Sequence, residues 1–70
     1  MSMFNVVCVA DAGRPFEDRQ EKSFYYLGDA VDYYDTFTDY GLALFERAVS
    51  IELNGEVLGS KSFVAPGVSA

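Results

Sequence analysis

The chain has 70 residues, half of them apolar and 16% aromatic, and a formal net charge of −6. That is room for one domain with a modest core, burying only about 60% of the surface of the unfolded chain. The composition excludes a disordered polymer, no apolar run approaches the roughly 18 residues of a membrane span, and the acidic balance disfavours contact with nucleic acid or anionic membranes while attracting basic protein surfaces.

Met3 to Ala10 is rich in β-branched residues and too short for a confident helix, so it reads as a strand buried on both faces. It is also too short, without a basic flank, to serve as a secretory signal, and a lone cysteine cannot close an internal disulfide. The expected compartment is therefore the cytoplasm. Asp11-Ala12-Gly13-Arg14-Pro15 carries turn chemistry. Phe16 to Lys22 reads as a mixed-charge connector with room for a short helical turn. Ser23 to Leu27 is expected to be a second short strand closed by Gly28, with one of Tyr25 and Tyr26 facing outward.

The clearest element is a helix from Asp29 to Tyr40, with Asp29 as N-cap and Gly41 as the C′ residue. With Asp29 at 0° and about 100° per residue, Ala30, Tyr33, Tyr34, Phe37 and Tyr40 fall between about 20° and 140°. Asp32, Asp35 and Asp39 fall between about 240° and 300°, on the opposite side. The exposed face is thus almost wholly negative. Like charges three and four residues apart repel by a few tenths of a kcal/mol per pair, yet no base stands between Lys22 and Arg47. Residues 29–56 carry seven acids against one base, which equals the net charge of the whole chain.

Beyond Gly41, the segment 42–49 is compatible with a strand or with a short helical turn. Val49, Ile51 and Leu53 alternate with Ser50 and Glu52 as a strand does, and Asn54-Gly55 is the strongest two-residue hairpin signal. Glu56 to Val64 returns as a second strand, with Gly59 a site for a bulge. A regular register sets Ile51 opposite Leu58 and Ser50 opposite Gly59. Pro66 to Ala70 reads as a loose tail. The expected fold is one α+β domain over residues 1–65: an antiparallel sheet of three or four strands, including a C-terminal hairpin, with the acidic helix across one face.

The chain has no histidine and no tryptophan, which removes the commonest general base and the Ser-His and Cys-His arrangements. Cys8 sits among apolar neighbours as a buried thiol, the glycines match no phosphate-cradling pattern, and the aspartate spacing is helical rather than that of a calcium loop. No catalytic residue, cofactor or metal ligand is expected, and the chain reads as a binding protein. Exposed tyrosine beside carboxylate suits an interface anchor for an incoming arginine. The candidate partner-binding residues are Asp29, Asp32, Asp35, Asp39, Tyr33, Tyr40, Glu46, Glu52 and Glu56. The expected partner is a basic, DNA-binding protein surface, met by a monomer or weak homodimer.

The N-terminal strand, the tract Asp29-Ala30-Val31-Asp32-Tyr33-Tyr34-Asp35-Thr36-Phe37-Thr38-Asp39-Tyr40 and the Asn54-Gly55 hairpin together resemble the small acidic phage-encoded anti-CRISPR proteins, inhibitors of type I systems. The resemblance is one of size, charge and style. It implies action inside a bacterium, a Cas subunit of the Cascade effector as target, blocked DNA binding, and Asp32, Asp35 and Asp39 as surrogates for phosphates. Two other classes fit the same residues: an antitoxin- or immunity-type protein that neutralises a basic partner, and an assembly module of a virion.

Overall fold

The computed structural model describes residues 3–67. They form a β-β-α-β-β chain: β1 (Phe4–Ala10), β2 (Asp18–Phe24), α1 (Leu27–Asp35), β3 (Glu46–Leu53) and β4 (Glu56–Val64). The four strands make one sheet in the order β2-β1-β3-β4, every neighbouring pair antiparallel. The α+β architecture expected from the sequence is the one observed. Because β1 lies between β2 and β3, the connection through α1 passes over β1 and lays the helix on one face of the sheet.

Strand alternation then decides the core. Val6 and Cys8 of β1 pair with Ile51 and Val49 of β3, and these four meet Ala30 of α1, with Phe4, Phe24, Val31, Tyr33, Tyr34 and Phe37 packed around them. Ala30 is wholly buried; with only a methyl group at that point, the helix backbone can approach the strands closely. Val7, on the opposite face, is also buried at 3% exposure. The run Val6-Val7-Cys8 thus has the two-sided burial read from its composition. Burial raises the Cys8 thiol pKa, opposed in part by Arg47 and reinforced by Asp18.

Two turns join the strands by different means. Asn54 and Gly55 both have positive φ, at 52° and 83°, as a type I′ hairpin requires. Asp11, also at positive φ (55°), is 4% exposed. Its carboxylate accepts the backbone N–H groups of Leu44 (2.9 Å), Phe45 (2.6 Å) and Glu46 (3.2 Å), tying the β1–β2 turn to the entry of β3. Burial works to raise this carboxyl's pKa, but the three N–H donors and Arg14 outweigh it and hold the group below the ordinary carboxylate range.

Several expectations are corrected. The second strand is Asp18–Phe24, not 23–27. It runs through the mixed-charge segment because an edge strand is recruited by backbone pairing with β1 and needs no apolar alternation. Tyr25 and Tyr26 fall in the link to the helix and both are exposed, at 63% and 73%. The helix spans Leu27–Asp35 with Tyr26 as N-cap and Thr36 as C-cap, so neither Asp29 nor Gly41 caps it. Its end is local: Thr36 donates its hydroxyl to the Tyr33 carbonyl at 2.6 Å, and Phe37 and Thr38 are poor helix formers. Segment 42–49 is a loop that becomes β3 at Glu46. In the hairpin Ile51 faces Gly59 and Ser50 faces Ser60, because Leu58 is inserted as a bulge beside Gly59, displacing the regular register by one. Of the expected tail, residues 68–70 lie outside the described residues.

Among the described residues the sheet is covered by a helix on one side only. The radius of gyration is 12.5 Å, against about 11 Å for an average domain of this length. Opposite the helix lies a shallow trough of about 510 Å³ lined by Val7, Val9, Ala48, Ser50, Ser60 and Ser62.

Candidate functional site

The outer face of α1 carries three acids and no base. Asp29, Asp32 and Asp35 are all exposed, three residues apart, so their Cα atoms rise about 4.5 Å per step and about 9 Å in all. Asp29 lies in the first turn, where the helix dipole favours a carboxylate; Asp35 lies at the opposite end, where it does not. Asp35 also helps burial to raise the pKa of the neighbouring Tyr34 hydroxyl.

What isolates these carboxylates is where the five bases go. Lys22 stands over the rings of Tyr33 (4.9 Å) and Phe24 (5.5 Å), and Lys61 over Tyr34 (4.1 Å). Arg14 lies 3.8 Å over Phe45, Arg19 sits 3.9 Å from Glu21, and Arg47 is paired with Asp39 at 3.2 Å and faces Phe37. Among the described residues none of Asp29, Asp32 and Asp35 has an ion-pair or hydrogen-bond partner for its carboxylate. Each base is held over an aromatic ring or against an acid elsewhere.

The structure divides the residues singled out from the sequence. Asp29, Asp32 and Asp35 are brought together. Asp39 is not on the helix: Arg47 donates to its backbone carbonyl through Nε at 3.0 Å and through Nη2, and to its carboxylate, which also accepts the Gly41 N–H at 2.8 Å. Asp39 is thereby part of the clamp that folds the 36–45 loop. The row of free helix carboxylates therefore ends at Asp35 and extends about 9 Å, where a helix to Tyr40 gives about 15 Å from Asp29 to Asp39.

Tyr33 is half-buried beneath the helix, stacked between Phe24 (5.5 Å) and Phe37 (5.2 Å, edge-on). Tyr40 is half-buried in the loop, its carbonyl accepting the Ala43 N–H at 3.1 Å. Glu46 and Glu52 alternate with Val49 and Ile51, which face the helix, so their side chains belong to the opposite face of the sheet. Glu56 pairs with Leu53 at the hairpin tip, on the helix side. Glu46 and Glu52 therefore do not join the helix aspartates in one patch.

The residues missed are Tyr25, Tyr26 and Leu27. All three are exposed, at 63%, 73% and 46%, and they immediately precede the acidic turn. Two exposed phenol rings and a leucine thus stand at the N-terminal end of α1, an apolar shoulder that precedes the carboxylate row. The signal was the short apolar run before Gly28, which periodicity assigns equally well to a strand.

Compared with protein-family models, curated proteins and solved structures, the chain matches none. Among the described residues no group of three or more potential ligands converges as a metal site, and no helix is long and apolar enough to cross a membrane. The arrangement offers three unneutralised carboxylates on a rigid element, flanked by two phenol rings. Chemically that is a surface to receive cationic side chains: guanidinium or ammonium against carboxylate, with an adjacent ring for an arginine to stack on.

Proposed function

We propose that this protein is a non-catalytic inhibitor that occupies the DNA-binding surface of a bacterial nucleic-acid-binding complex, of the kind the type I anti-CRISPR proteins target, with Asp29, Asp32 and Asp35 standing in for phosphates. The observation that carries the reading is the segregation of charge: five bases engaged locally, three helix carboxylates left free. A helix selected for stability alone gains from a lysine or arginine at i+4. Along one strand of DNA phosphates recur about every 3.4 Å of axis, so a 9 Å row imitates about three of them. A short acidic row of that length competes for a local cluster of lysines and arginines rather than for a whole duplex channel. On this reading the protein acts in the bacterial cytoplasm, and its target is a Cas subunit of Cascade.

The apolar shoulder favours a second reading. Tyr25, Tyr26 and Leu27 beside the acids have the composition of a protein–protein anchor, which suits an antitoxin- or immunity-type partner that covers one basic protein.

One experiment separates the two. DNA binding by a purified type I effector complex is measured by mobility shift with the wild-type protein and with Asp29→Asn/Asp32→Asn/Asp35→Asn. Mimicry predicts inhibition by the wild type, weakened at least about tenfold in the variant, since charge-paired contacts lose more than about 1.4 kcal/mol together. Equal potency of the two proteins contradicts the role of the carboxylates. No inhibition by either, with capture of a basic protein that depends on Tyr25 and Tyr26, moves the assignment to the neutralising class.

A further inference from the structure

The two edges of the sheet are guarded differently. Edge strand β2 carries Asp18, Arg19, Glu21 and Lys22 within seven residues, the charged pattern that discourages further pairing. Edge strand β4 is nine residues long, and residues 57–64 contain no acid and one base. That base, Lys61, is turned onto the Tyr34 ring of its own chain at 4.1 Å. Val57, Leu58 and Val64 are exposed at 56%, 48% and 46%.

Which backbone groups face outward follows from one hydrogen bond. Ala65 donates its N–H to the Phe45 carbonyl at 2.8 Å. In an antiparallel ladder the inward and outward residues alternate. Lys61 and Phe63 therefore bond to β3, whereas Ser60, Ser62 and Val64 direct their N–H and C=O groups away from the sheet. Among the described residues no strand lies beyond them.

We propose that β4 pairs with β4 of a second copy of this chain, antiparallel about a two-fold axis at Ser62, to form a continuous eight-stranded sheet. In this register Ser62 faces Ser62, and Ser60 faces Val64 twice. All three outward residues of each copy are then used, and the Leu58 bulge stays outside the pair. On the helix side Lys61 of each copy lies opposite Phe63 of the other, next to the ring it already approaches at 5.7 Å within its own chain. No like charges meet, although each protein carries −6, because the paired segment is free of acids. The small side chains of Ser60 and Ser62 allow close approach on the trough face, where Val64 gains cover.

An antiparallel pair of this kind has its axis normal to the sheet, so both helices lie on the same side. With α1 centred over β1, five strand spacings of about 4.8 Å separate the two helices, roughly 24 Å in all. The dimer therefore presents two carboxylate rows side by side. A single strand edge buries less than a standard interface of about 1,600 Å², and the association is accordingly weak and concentration-dependent.

Sedimentation equilibrium from micromolar to millimolar protein tests this. The wild type is expected to rise from 7.7 kDa towards twice that mass. Ser62→Lys and Ser62→Glu, changes at an exposed position, set like charges opposite each other at the axis, and each alone is expected to dissociate at least about tenfold more readily. Mixed in equal amounts they are expected to regain the dimer. Circular dichroism of each variant establishes that it is folded, and Ser62→Pro, which removes an outward N–H and is tolerated on an edge strand, provides a second disruption. A wild type that stays at 7.7 kDa at millimolar concentration overturns the proposal. So does a dimer that both charged variants form as readily as the wild type, or a mixture that gains nothing over its components.

Discussion

Val49→Ala and Val7→Ala form a matched pair of perturbations on opposite faces of the same sheet. Val49 is 1% exposed and Val7 3% exposed, so burial alone predicts equal losses. The structure predicts otherwise. Each change removes two methyl groups, worth about 0.8 kcal/mol apiece in transfer, or about 1.6 kcal/mol. At Val49 the space is enclosed between the sheet and α1, and a cavity of roughly 40 Å³ adds about 1 kcal/mol. At Val7 the space opens into the trough, where water fills it, and the cavity contribution is absent. The expected losses are thus about 2.5 and about 1.6 kcal/mol. Against a total of about 3.5–10 kcal/mol for a chain of this size, both are large. Urea unfolding at low micromolar concentration, where self-association is negligible, measures them. By thermal melting the drops are about 10–20 °C and about 6–13 °C. Val57→Ala, at an exposed site, is the control and costs less than about 0.5 kcal/mol. A loss at Val7 equal to or larger than that at Val49 refutes the reasoning, because it requires a second layer over the trough.

Two further outcomes follow from the loops. The Asp11 carboxyl has a folded-state pKa below its unfolded value of about 3.9, so it contributes stability that is fully present above that value and is lost as pH falls through the folded pKa. In melting curves from neutral to strongly acid solution, the gap between wild type and Asp11→Asn is therefore widest near neutrality and narrows below about pH 4; parallel curves contradict the triple N–H clamp. Gly41 has φ of +60° and a Cβ there meets the Arg47 guanidinium, so Gly41→Ala is expected to cost about 1 kcal/mol or more. Combined with Arg47→Ala the two losses are less than additive; strict additivity in a double-mutant cycle shows that the guanidinium is not seated against Gly41.

The amino-acid sequence by itself determined whatever depends on neighbours a few residues away. Asn54-Gly55 demands positive φ at both positions and so makes the hairpin wherever its strands fall. Val6-Val7-Cys8 carries its two-sided burial in its composition, and the separation of Asp32 and Asp35 from Ala30, Tyr33 and Tyr34 is a consequence of helical period. Tertiary structure decided the rest, because the deciding partners are far off in the chain. Asp18–Phe24 is a strand only because β1 offers it an edge. Asp39 is a clamp because Arg47, eight residues on, reaches back to its carbonyl and carboxylate, and with Thr36 ending the helix early this shortens the acidic row. Glu46 and Glu52 go to the far side of the sheet because Val49 and Ile51 must meet Ala30, and a period of two leaves the alternating residues no other face. Charge and periodicity establish that a negative helix face exists; only packing determines how long it is and which acids belong to it.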